Sequence, residues 1–382
     1  MTALGIRYSR DLPAFGTPIG SLAALADHEV GYGTRLGRVP GLAAAFRAEF
    51  GSSGKPDQVS THDLITLPYP TRFALWRAAT TFAPFVSITN RMLIIRWTEQ
   101  DGRRRVLLFE PSDVERGVAT PYFAQLAART PGPLRNLLVT VHGDVLEHLA
   151  AVGLDPAEVD YLVFDHLHTQ DLRRWLGTTA PQPDLGASEP LVAAFPNARL
   201  IVQRSELEAM ADLHPLQKPW YQAETYRDLP PESLWAIDGD TLVAPGVALL
   251  STPGHVTGNQ TLVLNTDSGI WASSENAIAV ECLWPEHSKI PGLAKSARRW
   301  QREVILNANT LETTAAQYNS MVLEKHLVDR SQTDSRFGQF FPSSELTRNR
   351  LNPGTGPTVK HGVLTHGQAG LVDSGGSSDM VG

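Results

Sequence analysis

Residues 159–168 read VDYLVFDHLH, and this short stretch constrains the chain more than any other. Its apolar run is almost continuous, as in strands that are buried on both faces of a sheet. The run ends in Asp165, His166 and His168. Residues i and i+2 at a strand end point the same way, roughly 6.5–7 Å apart. Two imidazoles so placed can converge on one metal ion at about 2.0–2.1 Å. A loop after such a strand is also where α/β proteins place their sites. On its own, H-x-H remains a weak signal.

The neighbouring segments build the layers such a strand needs. FVSITNRMLIIRWTE and RRRVLLFEP read as two strands joined by the turn QDGR. GDVLEHLAAVGLD carries apolar residues at helical spacing and ends at Gly153. EPLVAAF reads as helical and NARLIVQRS as a strand. WAIDGDTLVAPGVALLSTPGH contains strands and two turns, QTLVLNTDSGIWASSEN a hairpin, and TTAAQYNSMVLEKHLVDRS a long helix. Strands alternate with helices, but hairpins are included, so mixed sheets covered by helices are expected. Residues 1–75 show no strong periodicity and read as an N-terminal extension packed on a main domain of residues 76–350. Residues 351–382, rich in Gly, Ser and Pro, read as a flexible tail.

Two further pieces carry polar groups at strand ends. In STPGHVTGNQ, Pro253 and Gly254 turn the chain after an apolar strand and set His255 at its end. In WASSENAI, a strand leads to Glu275 and Asn276, which can serve as ligands or as groups that orient ligands. With the H-x-H stretch, in this order, these pieces resemble the metallo-β-lactamase superfamily over roughly residues 84–350. The resemblance implies a four-layer αββα sandwich, two mixed β-sheets flanked by helices. The family's signature runs H-x-H-x-D-H, then a histidine in T-P-G-H, an aspartate in S-G-D and a late histidine in P-S-H. His166, His168 and His255 match the three histidines of the first metal site.

The second site departs from the pattern at every position. Gln170 stands where the Asp belongs and Asp171 where the third His belongs. Asn276 falls on the bridging aspartate, or Glu275 does with a shift of one, and Ser344 takes the place of the late histidine. Either His287 or His326 could fold back as a substitute, though no spacing requires it. Site two therefore offers a single carboxylate, Asp171, beside neutral groups, which is poor for a second divalent ion.

A site of three neutral histidines with an open position suits one zinc per chain, with iron or manganese as alternatives. It lowers the pKa of a bound water to about 7, so a zinc-bound hydroxide can attack a small ester, lactone, thioester or activated aryl substrate. In this expectation the metal ligands are His166, His168, His255 and Glu275, and the catalytic group comprises Asp171, Gln170 and Asn276. Asp171 is either a general base that orients the water or a weak second-site ligand. Gln170 and Asn276 can hydrogen-bond the water but cannot take its proton. Asp165 can hold the far nitrogen of a ligand histidine or cap the strand end. Trp271, Trp284 and Trp300 can line an apolar pocket or fill the core, and ECLWPEHSKIPGLAKSARRW is expected as a loop and helix over its mouth. Two other readings stay open: an iron-dependent oxygenase of the same superfamily, and a non-catalytic protein with a decayed site.

Charge narrows the partners. Lys+Arg 33 against Asp+Glu 40 leaves −7, so no general attraction to nucleic acid or anionic lipid is expected. The expected partner is a small-molecule substrate, with a homodimer as the assembly left open. The single cysteine allows no disulfide within the chain. No apolar run reaches the about 18 residues of a membrane span, and the first residues lack a signal-peptide core, so a cytoplasmic protein is expected.

Overall fold

The computed structural model describes residues 15–307, 311–349 and 352–367. Its larger sheet is mixed. It contains β1 (Gln58–Pro70), β2 (Phe85–Thr98), β3 (Arg104–Phe109), β4 (Tyr161–Val163), β5 (Arg199–Gln203) and β6 (Leu234–Ile237). The order across it is β6-β5-β4-β3-β2-β1, with Thr365–His366 added beside β1. Strands β3 to β6 pair in parallel, while β1, β2 and β3 form antiparallel hairpins. The smaller sheet is antiparallel, built from β7 (Thr241–Ala244), β8 (Val247–Ser251), β9 (Gln260–Thr266) and β10 (Gly269–Ser273) in that order.

Strand periodicity sorts the apolar residues into three cores. Leu93, Ile95, Leu107, Phe109 and Val163 face Val247, Leu249, Leu262 and Leu264 between the two sheets. Their alternates Met92, Ile94, Val106, Leu108 and Leu162 turn outward onto α4 (Val145–Ala151) and α5 (Arg204–Ala211). Ala248, Leu250, Val263 and Ala272 turn the other way, onto α1 (Tyr32–Ser52), α6 (Leu293–Trp300) and α7 (Thr314–Leu327). The layers are thus helix, sheet, sheet, helix. Two short helices flank these layers: α2 (Pro121–Arg129), whose Tyr122 packs on the helix-side core, and α3 (Gly132–Leu138). Among the described residues, no helix is long and apolar enough to cross a membrane.

Three expectations need correction. The division at residue 75 cuts the larger sheet, because β1 pairs with β2 along nearly its whole length. Its run QVSTHDLITL hides a strand behind Ser60, Thr61, His62 and Asp63. The tail does not begin at 351: Leu364 is buried, and Thr365 and His366 pair with Ser60 and Val59. Residues 368–382 lie outside the described residues. EPLVAAF is not helical. Ala187–Pro190 forms a small hairpin with Pro181–Gln182. The N–H groups of Ala194 and Phe195 then donate to the carbonyls of Arg174 and Trp175, at 3.0 Å each, instead of to their own turn.

The C-terminal ends of strands from both sheets meet at one edge. β3 leads into Glu110, β4 into Asp165 and His166, β8 into His255, and β10 into Glu275. Open α/β sheets place their ligands at this kind of edge.

Candidate metal centre

His166, His168 and His255 each offer a ring nitrogen to one cluster, all within 4.8 Å of one another. The three residues are buried. Two of the imidazoles are fixed from behind by side chains. His166 Nδ1 is bound to the Asp165 carboxylate, whose second oxygen accepts from Ser343 Oγ at 2.6 Å. His166 Nε2 is left buried and without a partner. His168 Nδ1 lies 3.1 Å from His255 Nε2, and His168 Nε2 meets Gln217 Oε1 at 2.7 Å. Buried ring nitrogens that converge with one left unpartnered are what a bound cation would complete, displacing any proton there. The residues therefore fit a metal ion.

Charge in the cluster follows from burial and from Asp165. Burial holds His168 and His255 well below the usual imidazole range, so both are neutral, as ligation requires. Burial acts against the charge on His166 too, but the Asp165 carboxylate and its hydrogen bond prevail and hold this imidazole at about 9. Burial likewise opposes charge on Asp165, yet His166 and the hydrogen bonds it receives keep it below the usual carboxylate range. A histidine made basic by a carboxylate behind it is a better ligand. Asp165 thus takes the supporting role rather than that of a strand-end cap.

The loops are tightly tied. Leu167 N–H donates to Glu206 Oε1 at 2.9 Å, and Tyr221 Oη donates to the same oxygen at 2.7 Å. Thr169 has φ +65° and Glu110 φ +57°, left-handed values that β-branched threonine rarely adopts. Such strain persists where surrounding contacts over-determine it. The Thr169 N–H donates to the Trp220 carbonyl at 2.9 Å, and its carbonyl accepts from Gln222 Nε2 at 2.8 Å. Glu110 Oε1 accepts from the Asp165 N–H at 2.6 Å, and burial pushes this acid well above its usual range.

The second-site positions have been turned to other uses. Asp171 does not line the cavity over the histidines. Arg173 grips both its oxygens, Nε to Oδ1 at 2.9 Å and Nη2 to Oδ2 at 2.8 Å, and Arg116 Nε adds a contact at 3.3 Å. A carboxylate neutralised in this way is an anchor. That corrects the expectation of a general base or second-site ligand. Asn276 is corrected as well. Its Oδ1 accepts from the His255 N–H at 2.8 Å, and its Nδ2 donates to Thr252 O at 3.2 Å and to Glu324 Oε1 at 2.9 Å. It shapes the His255 turn and does not face the cavity. A side chain at Gly254 would run into Asn276 Oδ1 and come within 2.8 Å of Gln317 Cα, which explains the glycine of T-P-G-H.

With Asn276 turned inward, Glu275 turns outward and lines the cavity, its Oε2 accepting from Ser344 Oγ at 3.2 Å. Burial raises Glu275 to about 7 against the pull of His166. Its carboxylate does not fall within the 4.8 Å histidine cluster. Gln170 also lines the cavity, with Nε2 donating to Ser112 Oγ at 2.9 Å. His287 lies beside Glu286 and Phe337, and His326 beside Glu303; neither reaches the cavity.

The cavity measures about 710 Å³. The triad, Glu110 and Glu275 line part of it, while Leu67, Ile88, Phe123, Leu126, Leu138 and Trp220 make much of the wall apolar. Of the two readings of the tryptophans, the core holds for Trp271 and Trp284. Trp271 faces the core between the sheets, Trp284 the helix-side core, and Trp300 is 59% exposed. The segment 281–300 packs in the helix-side core, away from the mouth, whereas α2 and α3 supply lining residues. Sequence reading missed Trp220 and Gln217, which come from an irregular loop with no motif.

Glu324, on α7, is the hidden support. Its Oε1 accepts from Thr261 Oγ1, Ser274 Oγ and Asn276 Nδ2, so it ties the β8, β9 and β10 ends together. Burial raises it from 4.5 to about 7. Its stabilising contribution is fully present below pH 4.5 and is lost as pH rises through about 7. The total is about 3 kcal/mol. Urea unfolding at several pH values should therefore show a smaller loss in Glu324→Gln, where Glu275 still titrates in the same range, than in the native protein.

No protein-family model matches the chain. Curated relatives include an N-acyl homoserine lactonase of Bacillus thuringiensis, 33% identical over 129 residues, which is 34% of this chain and 42% of the relative. Another, from Bacillus cereus, is 30% identical over 131 residues, again 34% and 42%. The matched region thus spans less than half the length of these relatives. Among solved structures, a quorum-quenching N-acyl homoserine lactone lactonase aligns with TM-score 0.42 and 22% identity, covering 65% of this chain and 87% of that one. A dizinc quorum-quenching lactonase, AidC, in complex with a product, aligns with TM-score 0.46 and 10% identity, covering 80% and 95%. Structural likenesses at these TM-scores carry no argument about the metal count or the substrate of this chain.

Proposed function

We propose that this chain, a member of the metallo-β-lactamase superfamily, is a metal-dependent hydrolase that opens a lactone bearing an apolar acyl tail. One observation carries the reading: three buried imidazoles converge, with His166 Nε2 unsatisfied, at a cavity whose wall is largely apolar. The partial likeness to lactonases supports the lactone as substrate. His166, His168 and His255 would hold one divalent cation, and zinc suits the donor set; the ion supplies Lewis acidity and a lowered water pKa. A single ion is favoured because Arg173 and Arg116 already neutralise Asp171.

The remaining work falls to the chain's own groups. Asp165 keeps His166 oriented and basic. The apolar wall excludes water from the acyl tail and aligns the ring carbonyl over the histidines. Glu275 takes the proton from the attacking water and returns it to the ring oxygen as the C–O bond breaks. It inherits the base role that Asp171 cannot fill. Gln170 and Ser112, hydrogen-bonded to each other on the wall, offer polar contacts to the head group. A cytoplasmic setting belongs to this reading, since the one cysteine, Cys282, is buried and free.

The wall gives a direct test. Ala127 lines the cavity beside Phe123 and Leu126 on α2, and Ala127→Trp would take up part of its volume. The kcat/KM for a lactone with a ten-carbon tail should drop about tenfold or more, while that for a four-carbon tail changes little. Zinc-loaded protein that hydrolyses neither lactone, with acid release followed in a pH-stat, would contradict the proposal.

A further inference from the structure

We infer that Gln217 is a positioning residue for the metal centre, and that Glu312 orients it so that His168 presents Nδ1 to the cluster. The inference rests on the metal-site reading above. The argument is one of hydrogen-bond polarity. The Glu312 side chain, when ionised, has only acceptors. Its Oε1 receives Gln217 Nε2 at 2.9 Å, which fixes the amide nitrogen on that side. Gln217 Oε1 must then face His168 Nε2, 2.7 Å away. An amide oxygen can only accept, so His168 carries its proton on Nε2. The lone pair is left on Nδ1, the nitrogen that faces His255 in the cluster. A ring with its proton on Nδ1 could not ligate from that side.

The surrounding loop holds this arrangement. Gln217 is buried, and its N–H donates to the His214 carbonyl at 2.8 Å while its carbonyl accepts from the Trp220 N–H at 2.9 Å. Trp220 in turn binds the Thr169 N–H, and the Tyr221 ring lies against His168 with centroids 4.5 Å apart. The 214–222 segment therefore clamps the H-x-H loop from one side and delivers the acceptor to the ring. Glu312 comes from the segment just before α7, so the segment entering α7 reaches the metal centre through two side chains.

The test uses zinc affinity measured by competition with a chromophoric chelator on the full chain. Gln217→Leu should weaken zinc binding about 10–100-fold, the usual cost of losing a group that orients a ligand histidine. Glu312→Ala, at an exposed position, should weaken it to a smaller but measurable extent. The double exchange Gln217→Glu with Glu312→Gln keeps an acceptor on His168 and a donor–acceptor pair behind it, so it should restore most of the affinity. The visible spectrum of the cobalt(II) protein should shift in the Gln217→Leu protein and return in the double exchange. A merely structural role would move none of these while apo-protein melting stays constant. Native affinity in either single variant, or no recovery in the double exchange, would overturn the inference. Should the Leu variant fail to fold, Glu312→Ala and the double exchange still decide it. A native chain that binds no metal at all would instead sink the underlying metal-site reading.

Discussion

Asp171→Ala is expected to lose about 2–3 kcal/mol of folding stability, because it takes two charge-assisted hydrogen bonds from a buried guanidinium. Arg173 is 1% exposed and divides itself between Asp171 and Asp184, with a further bond from Nη1 to Gln182 Oε1 at 2.8 Å. Removing one carboxylate leaves the buried guanidinium with Asp184, which is 41% exposed, as its one remaining acidic partner. Chemical denaturation of the two proteins checks the size of the loss. The more telling result concerns activity. If Asp171 is an anchor, the folded variant keeps its metal and most of its turnover at low temperature. A variant that is as stable as the native chain but inactive would restore Asp171 as a base.

The second large effect is expected at His255. His255→Ala removes one of the three imidazoles from the cluster and keeps the backbone N–H bond to Asn276 Oδ1. Metal should be lost, and lactone hydrolysis should fall by about three orders of magnitude or more, the scale set by several kcal/mol of transition-state stabilisation. Glu275→Gln should behave differently. It leaves the triad intact, so the protein should retain its metal while kcat falls. This separation distinguishes a proton carrier from a ligand. Parallel metal and kinetic assays on both variants read it directly.

Legibility from sequence followed the range of the interactions. The strand ending in VFDHLH and the turn T-P-G-H declare themselves because ligand, strand and turn are adjacent in the chain. Asp165 behind His166 is equally local. Asp171 looked like a base because its identity and position fit one. What disqualifies it is Arg173, two residues on, together with Arg116, 55 residues away, and neither pairing has a sequence signature. The choice between Glu275 and Asn276 could not be made from SSENAI. It is settled by Glu324, on a helix 48 residues beyond Asn276, which draws the amide inward and turns the neighbouring carboxylate to the cavity.

The fold shows the same limit. β2 and β3 were readable from dense β-branched and apolar residues. β1, the partner of β2, was not, because its polar residues sit at a bulge between Asp63 and Ile65 and beside other polar chains. EPLVAAF carried helical propensity that hydrogen bonds to the Arg174–Trp175 turn overrode. The cavity wall was the least legible part. Trp220, buried in the helix-side core, comes from an irregular loop, and α2 contributes only partly buried residues, so no periodic apolar pattern marked them in advance.

Metal content of the native chain tests the central claim most directly. Protein purified without added metal, then dialysed against zinc and analysed by elemental mass spectrometry, should carry about one zinc per chain, as a site of three histidines with an open position implies. The His255→Ala protein, treated identically, should carry almost none. Two ions per chain would contradict the reading of Asp171 as a neutralised anchor. Iron in place of zinc would favour redox chemistry over hydrolysis. A folded native chain that holds no metal under these conditions would contradict the account as a whole.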